Sequence, residues 1–310
     1  MQKVGISTAG WYDDKKPLAS LQYIKECGFQ SFDLNFSPYL NTTKANKEGL
    51  YPNLFDQSIE EILAFFAPLK EAIKKTGIAP SQIHAPYPTW FEGNDALNAY
   101  LLTVLDKSFA VCEFLECPAI VVHPVEGNTR EEEWARNLAN YRSIIPLIKQ
   151  YKGVKCCLEN LFLHSPSNFD KIIEGRLSNA DEICRMHDLL NEEAGGDYFG
   201  ICFDVGHANL TGRNIKEYVR QLGNRLTALH IHDNNGICDQ HLAPYSCVQK
   251  KRAHVCDWNG FVEGLKEIDY KGTLSFETDN IFKVYPAAVH TEVLHLISAI
   301  GRYWVKVIHD

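Results

Sequence analysis

Six apolar runs of this 310-residue chain end on side chains that bind metal ions or move protons. They end on His84, His123, Glu159, Asp204 with His207, His230 with His232, and Glu277. Each residue has an ordinary structural use: a strand-end histidine satisfied by a neighbour, Asp204 capping the helix after it, Glu159 in a salt bridge. Independent structural uses would seldom coincide on six consecutive runs. Two Glu, one Asp and one His make an oxygen-rich donor set with a single imidazole, which suits a six-coordinate Mn²⁺, Mg²⁺ or Co²⁺ ion. With positions open, such an ion polarises a hydroxy-carbonyl compound and stabilises the enediolate formed when a carboxylate removes the neighbouring proton. Glu159 and Glu277 suit both ligation and proton transfer.

Side chains this far apart in sequence meet only where the fold carries their strands to one place. Eight β-type runs, at residues 4–7, 31–34, 82–84, 120–123, 155–159, 200–204, 228–232 and 273–277, are separated by helical patterns. That rhythm predicts one α/β domain over residues 1–310, a (β/α)₈ TIM barrel whose strand ends form a ring. Ser58 with Glu61 and Thr129 with Glu132 have the spacing of capping boxes. Helical stripes follow them: Ile59, Ile62, Leu63, Phe66 and Ile73, then Trp134, Leu138, Tyr141, Ile145 and Ile148. A first helix runs from Pro17 to a left-handed stop at Gly28. The connections 35–56, 161–191 and 234–257 exceed bare turns. In a barrel they become long loops at the C-terminal face, where active sites are built.

Lys and Arg number 31 against 39 Asp and Glu, a formal charge of −8 that disfavours capture of a nucleic-acid backbone. No apolar run approaches the roughly 18 residues of a membrane span, and the N-terminus has no signal-peptide core, so a cytoplasmic protein is expected. Most of the ten cysteines sit in apolar surroundings, as Cys156, Cys157 and Cys202 do, and read as buried free thiols. Cys238, Cys247 and Cys256, with His241 and His254, match no compact zinc knuckle.

An ordered set of short motifs spans nearly the whole chain. It comprises His84-Ala85-Pro86-Tyr87, Val122-His123-Pro124, Leu158-Glu159-Asn160, the run from Cys202 through Asp204-Val205-Gly206-His207 to Asn209, His230-Ile231-His232-Asp233, Asp239-Gln240-His241 and Phe276-Glu277-Thr278. The set resembles the xylose isomerase-like TIM barrels, which include sugar phosphate isomerases and epimerases, ketose 3-epimerases, apurinic-site endonucleases and C-glycoside deglycosidase catalytic subunits. The resemblance implies one divalent ion, Mn first with Mg, Co or Zn as alternatives, held by Glu159, Asp204, His230 and Glu277. His232, on the same strand face, is the fallback for His230. The resemblance also implies that His207 touches substrate, with His84, His123, His232, Asp239 and His241 lining the pocket.

The expected activity is sugar isomerisation or epimerisation through a cis-enediolate, with Glu159 and Glu277 relaying the proton. A lyase cleaving a 3-oxo-(C-)glycoside by β-elimination, with a small β-rich partner subunit, is the runner-up. For that branch the aromatics Tyr12, Phe36, Tyr39, Tyr87, Trp90 and Phe91 offer either an aglycone wall or loop packing. The nuclease branch holds three zinc ions, and His84, His123, Asp239 and His241 could fill the added places. The acidic balance and the sugar-type motifs weigh against it. A sugar-binding scaffold is the non-enzymatic alternative. The insert 245–256, with Lys250, Lys251 and Arg252, departs from the family pattern. A small-molecule sugar or glycoside, a homo-oligomer, and neither nucleic acid nor membrane complete the expectations.

Overall fold

The computed structural model describes residues 2–165, 167–175, 177–248 and 255–310. Its strands are β1 (Val4–Ser7), β2 (Ser31–Asn35), β3 (Ala79–His84), β4 (Ala119–Val122), β5 (Lys155–Glu159), β6 (Phe162–Ser165), β7 (Asn168–Glu174), β8 (Phe199–Asp204), β9 (Leu226–His230) and β10 (Leu274–Phe276). Eight of them form one parallel sheet in the order β10-β1-β2-β3-β4-β5-β8-β9. A parallel bridge between Ile231 and Phe276 closes the ring. Its amides are satisfied across the seam, Ile231 N donating to Ser275 O at 3.0 Å and Glu277 N to Ile231 O at 3.0 Å.

Successive strand side chains point to opposite faces, so each strand has one column inside the barrel and one under the helices. The outward column is large and apolar: Phe32, Leu34, Ile83, Ile120, Val122, Leu158, Ile201, Phe203, Leu229 and Phe276 are all buried in the main core. The inward column is small low in the barrel, where Ala119, Val121, Cys157, Cys202 and Ala228 form a separate cluster. Two residues further along the same faces lie His123, Glu159, Asp204 and His230. The alternation that buries apolar residues outward thus lifts the polar set to the rim.

Helices between the strands begin and end by local chemistry. Ser58 accepts from Glu61 N and Glu61 returns the bond, starting helix Ile59–Thr76, which stops at Gly77 in the left-handed region (φ 74°). Thr129 accepts from Glu132 N. Glu132 instead accepts from Asn128 N, so the second expected box is one-sided. Tyr141 is fully buried and ties its helix to β4 by donating to Val122 O at 2.8 Å.

The long connections are structured. Residues 35–56 contain helix Thr42–Glu48 and a 3₁₀ turn at Leu54–Asp56. Residues 161–191 contain the antiparallel hairpin β6–β7 and most of helix Ala180–Ala194. Lys250, Lys251, Arg252 and His254 lie outside the described residues. All ten cysteines are free, and seven are buried. Among the described residues, no helix is long and apolar enough to cross a membrane.

Candidate metal centre and active site

Four of the expected donors meet above the barrel axis. Glu159 and Asp204 end β5 and β8, His230 ends β9, and Glu277 follows β10. His230 Nδ1 lies 3.2 Å from Glu159 Oε1 and 3.5 Å from Glu277 Oε2. One donor atom each from Asp204, His230 and Glu277 fits within 4.8 Å, as does one each from Glu159, Asp204 and His207. Asp204 keeps its structural use as well, its Oδ1 accepting from His207 N at 2.7 Å to cap helix Val205–Leu210.

His232, the fallback, points to a different place. Its Nε2 is 3.1 Å from the Asp204 carboxylate and 3.6 Å from Asp239 Oδ1, and its ring stacks on His241 at 4.0 Å. His241 Nε2 is 3.1 Å, and His207 Nε2 3.5 Å, from Asp239 Oδ2. His207, His232, Asp239 and His241 thus make a second group of convergent donors. On the other side, His84 Nε2 is 2.8 Å from His123 Nε2, which is 2.9 Å from Glu159 Oε2. Two imidazole nitrogens at that distance need a proton or a cation between or beside them.

Backbone carbonyls set the tautomers. A carbonyl only accepts, so the Nδ1–H groups of His84, His207 and His241 donate to Ala85 O (2.9 Å), Asn160 O (3.0 Å) and Glu277 O (3.1 Å). Each Nε2 is thereby turned towards the other donors. His232 Nδ1 is buried without a partner, and both Glu159 oxygens, His230 Nδ1 and Asp239 Oδ1 are buried with only the imidazole–carboxylate contacts given above, none aligned as a hydrogen bond. Unpartnered buried polar atoms each cost about 1–3 kcal/mol. A nitrogen-and-oxygen donor set with orphaned atoms aimed inward fits a divalent ion.

The electrostatics divide the two glutamates. Burial pushes Glu277 up to about 7, partly countered by His230 and His241. Burial also opposes ionisation of Glu159, but the imidazoles of His123 and His230 hold its carboxyl well below the usual range. Burial, with His123 and His230 beside it, depresses His84 to about 3. His207 and His241 go the other way, because Asp204, Asp239 and Glu277 outweigh burial.

All ten expected residues therefore lie around one cavity or directly beneath it. The cavity measures about 330 Å³ and is bounded by His84, His123, Glu159, His207, Asp239, His241 and Glu277 among others. Of the six aromatics named from sequence, Tyr87 alone lines it, while Phe36 is buried in the core. Several residues escaped the sequence reading. Phe162 and His164 reach the cavity from the hairpin and Leu161 from just before it, Ser7 and Asn35 from strand ends, and Asp279 from the turn after β10. The two-residue spacing of Asp33 and Asn35 on β2 was an available signal. Asn160 also escaped: its side chain accepts from Asp204 N (2.8 Å) and donates to Asp204 O (2.9 Å), joining the ends of β5 and β8. At Gly206 an added Cβ would stand 2.0 Å from His232 Cε1, so a side chain there has no room.

A family model described as a xylose isomerase-like TIM barrel matches residues 21–307. The chain belongs to that family. An uncharacterised protein of Methanocaldococcus jannaschii, MJ1311, is 32% identical over 175 residues, covering 54% of this chain and 53% of the relative. The chain thus spans about half the length of that curated relative. Among solved structures, L-ribulose 3-epimerase superposes with a TM-score of 0.68 at 17% identity, covering 100% of this chain and 96% of the other. The 3-keto-D-glucoside 4-epimerase of E. coli gives 0.68 at 17%, covering 98% and 100%. The IolI protein with a bound zinc atom gives 0.61 at 15%, covering 99% and 98%. At these identities the likeness shows the fold.

Proposed function

We propose that this chain is a divalent-metal-dependent sugar isomerase or epimerase. The observation carrying this reading is the meeting of Asp204, His230 and Glu277, with Glu159 Oε1 3.2 Å from the same His230 nitrogen, at the floor of a cavity. These four residues would hold the ion, which supplies polarisation of a carbonyl and an adjacent hydroxyl oxygen. The Glu159 carboxylate, ionised and within reach of the cavity, accepts the proton from the carbon beside the carbonyl. Glu277, the second carboxylate beside that carbon, would return a proton drawn from solvent, and the path would run through a cis-enediolate. His207 holds a substrate oxygen, while Tyr87 and Phe162 give the cavity an aromatic wall. Neighbours of the same fold whose names carry 3- and 4-epimerase activities support the sugar class.

The size of about 330 Å³ sits at the lower end of ligand pockets, roughly 300–1,000 Å³. That favours a monosaccharide over a glycoside with a bulky aglycone, and so an isomerase over the β-elimination lyase. Incubation with a panel of ketoses in deuterated water reads the reaction directly, through product and exchange at the carbon beside the carbonyl. Glu277→Gln should lower turnover by about 10²–10⁴ without unfolding the protein. Full activity in that variant refutes the assignment.

A second reading has its own observation. The groups His84–His123–Glu159 and His207–Asp239–His241 offer donors for two further ions, as a multi-zinc phosphoester hydrolase acting on abasic DNA would need. The charge of −8 opposes it, as does a cavity lined, among the described residues, by neither Lys nor Arg. Elemental analysis per chain, repeated on Glu159→Gln and Asp204→Asn, separates the two. About one Mn, Mg or Co supports the isomerase, and about three zinc ions the hydrolase.

A further inference from the structure

Below the donor ring, inside the barrel, lies a carboxylate that the reaction does not use. Asp33 sits in the middle of β2, 2% exposed, and its Oδ2 accepts from His230 Nε2 at 3.1 Å across the barrel. The same oxygen accepts from Gln82 Nε2 at 2.9 Å, and Gln82 also donates to Leu229 O (3.2 Å), the backbone of the strand that carries His230. Asp33 Oδ1 has no hydrogen-bond partner. A buried carboxylate with one orphaned oxygen is a poor choice for stability alone, since an apolar side chain of similar volume would avoid the desolvation cost.

The geometry around His230 shows what the carboxylate achieves. Asp33 Oδ2 already accepts from the Gln82 amide, so it is the acceptor towards the ring as well; the proton on this side belongs to Nε2, and Nδ1 is the nitrogen facing Glu159 and Glu277. The ring plane is held from one side by stacking on His84, with centroids 5.4 Å apart and planes 18° from parallel. Rotating the ring would break the Asp33 bond and turn carbon towards the donor ring. His84, His207 and His241 use backbone carbonyls for this purpose. His230 has the opposite nitrogen tied, and by a charge.

We propose that Asp33 is a positioning residue for the metal centre: its bond to His230 Nε2 presents Nδ1 as a ligand in line with Glu159, Asp204 and Glu277. The inference rests on the metal-centre reading above. A carboxylate behind a ligating imidazole fixes its orientation and raises its basicity, and its removal typically lowers metal affinity by about 10–100-fold. Gln82 in turn holds Asp33, and its second bond to Leu229 O ties the pair to β9.

The test is a titration of the ion-free protein with Mn²⁺, followed by calorimetry, in a double-mutant cycle. Asp33→Ala should weaken binding by about 10–100-fold, and Asp33→Asn, which keeps the shape and one acceptor, by less. In a His230→Ala background the Asp33→Ala change should have no further effect, because the residue acts through that ring. A purely structural role would weaken both backgrounds alike, and that result overturns the proposal. Undiminished binding in Asp33→Ala, with the wild type binding tightly, overturns it too while leaving the metal centre intact. Wild-type protein that binds no ion refutes the metal centre itself, and this inference with it. Melting curves of each variant identify any that fails to fold, and Asp33→Asn then carries the comparison.

Discussion

Asn160 joins the ends of the two strands that carry Glu159 and Asp204. Its side chain is 1% exposed and makes two bonds to the backbone of Asp204, accepting at 2.8 Å and donating at 2.9 Å. Asn160→Ala leaves a buried N–H and a buried C=O of Asp204 without partners. At about 1–3 kcal/mol for each unsatisfied group, the loss comes to about 3 kcal/mol, a sizeable part of the roughly 5–15 kcal/mol that holds a domain folded. For a chain of this length that corresponds to a fall in Tm of roughly 5–10 °C. Because Asp204 also caps the helix carrying His207, the same variant should lose Mn²⁺ affinity. Asn160→Asp is the informative control. It keeps an acceptor for Asp204 N but aims a second oxygen at Asp204 O, so shape is preserved and one bond is not. Scanning calorimetry with and without Mn²⁺ measures both effects. A Tm within about 2 °C of wild type for Asn160→Ala, or full rescue by Asn160→Asp, would refute the hydrogen-bond argument.

Two further outcomes follow from the site. The Glu277 carboxyl, pushed up to about 7 by burial, keeps its proton below that pH, and an arriving cation must displace it. Metal affinity should therefore fall as pH drops through about 7, by up to tenfold per pH unit for that proton, and the His230 imidazole, whose proton is held by the acidic groups around it, adds to the dependence above; calorimetry in buffers of different ionisation heat counts the protons released, and a flat profile between about pH 6 and 8 sinks the idea. Gly206→Ala forces a Cβ to 2.0 Å from His232 Cε1, so the imidazole must leave its place beside Asp204 and Asp239. Overpacking of this kind costs about 1–3 kcal/mol, readable as a lowered Tm, and an unchanged Tm would show that the ring moves freely.

Much of the barrel was legible because alternation is a local property. Residues 155–159 and 200–204 read as strands from their own composition, and both became strands with those C-terminal ends. β3 was read short, as 82–84 against Ala79–His84, since Pro80 near its start looks like a breaker. The segment 228–232 was read long: the ladder stops at His230, and Ile231 joins only the bridge that closes the ring. The hairpin β6–β7 was hidden because two short strands pairing with each other, apart from the main sheet, give no signal beyond that of a long connection. Asp33 was missed for a similar reason. An aspartate inside a strand becomes meaningful only beside His230, 197 residues away.

The order and chemistry of the donors were determined by the sequence alone. Period-two faces lead from Val121, Cys157, Cys202 and Ala228 to His123, Glu159, Asp204 and His230, and no other register keeps the outward face apolar. Which nitrogen of each histidine faces the centre, and whether His230 or His232 stands between the two glutamates, was decided only by the tertiary structure. The physical reason is that a tautomer is chosen by its hydrogen-bond partner, and for His207, His241 and His230 those partners, Asn160 O, Glu277 O and Asp33, arrive from other strands of the closed barrel.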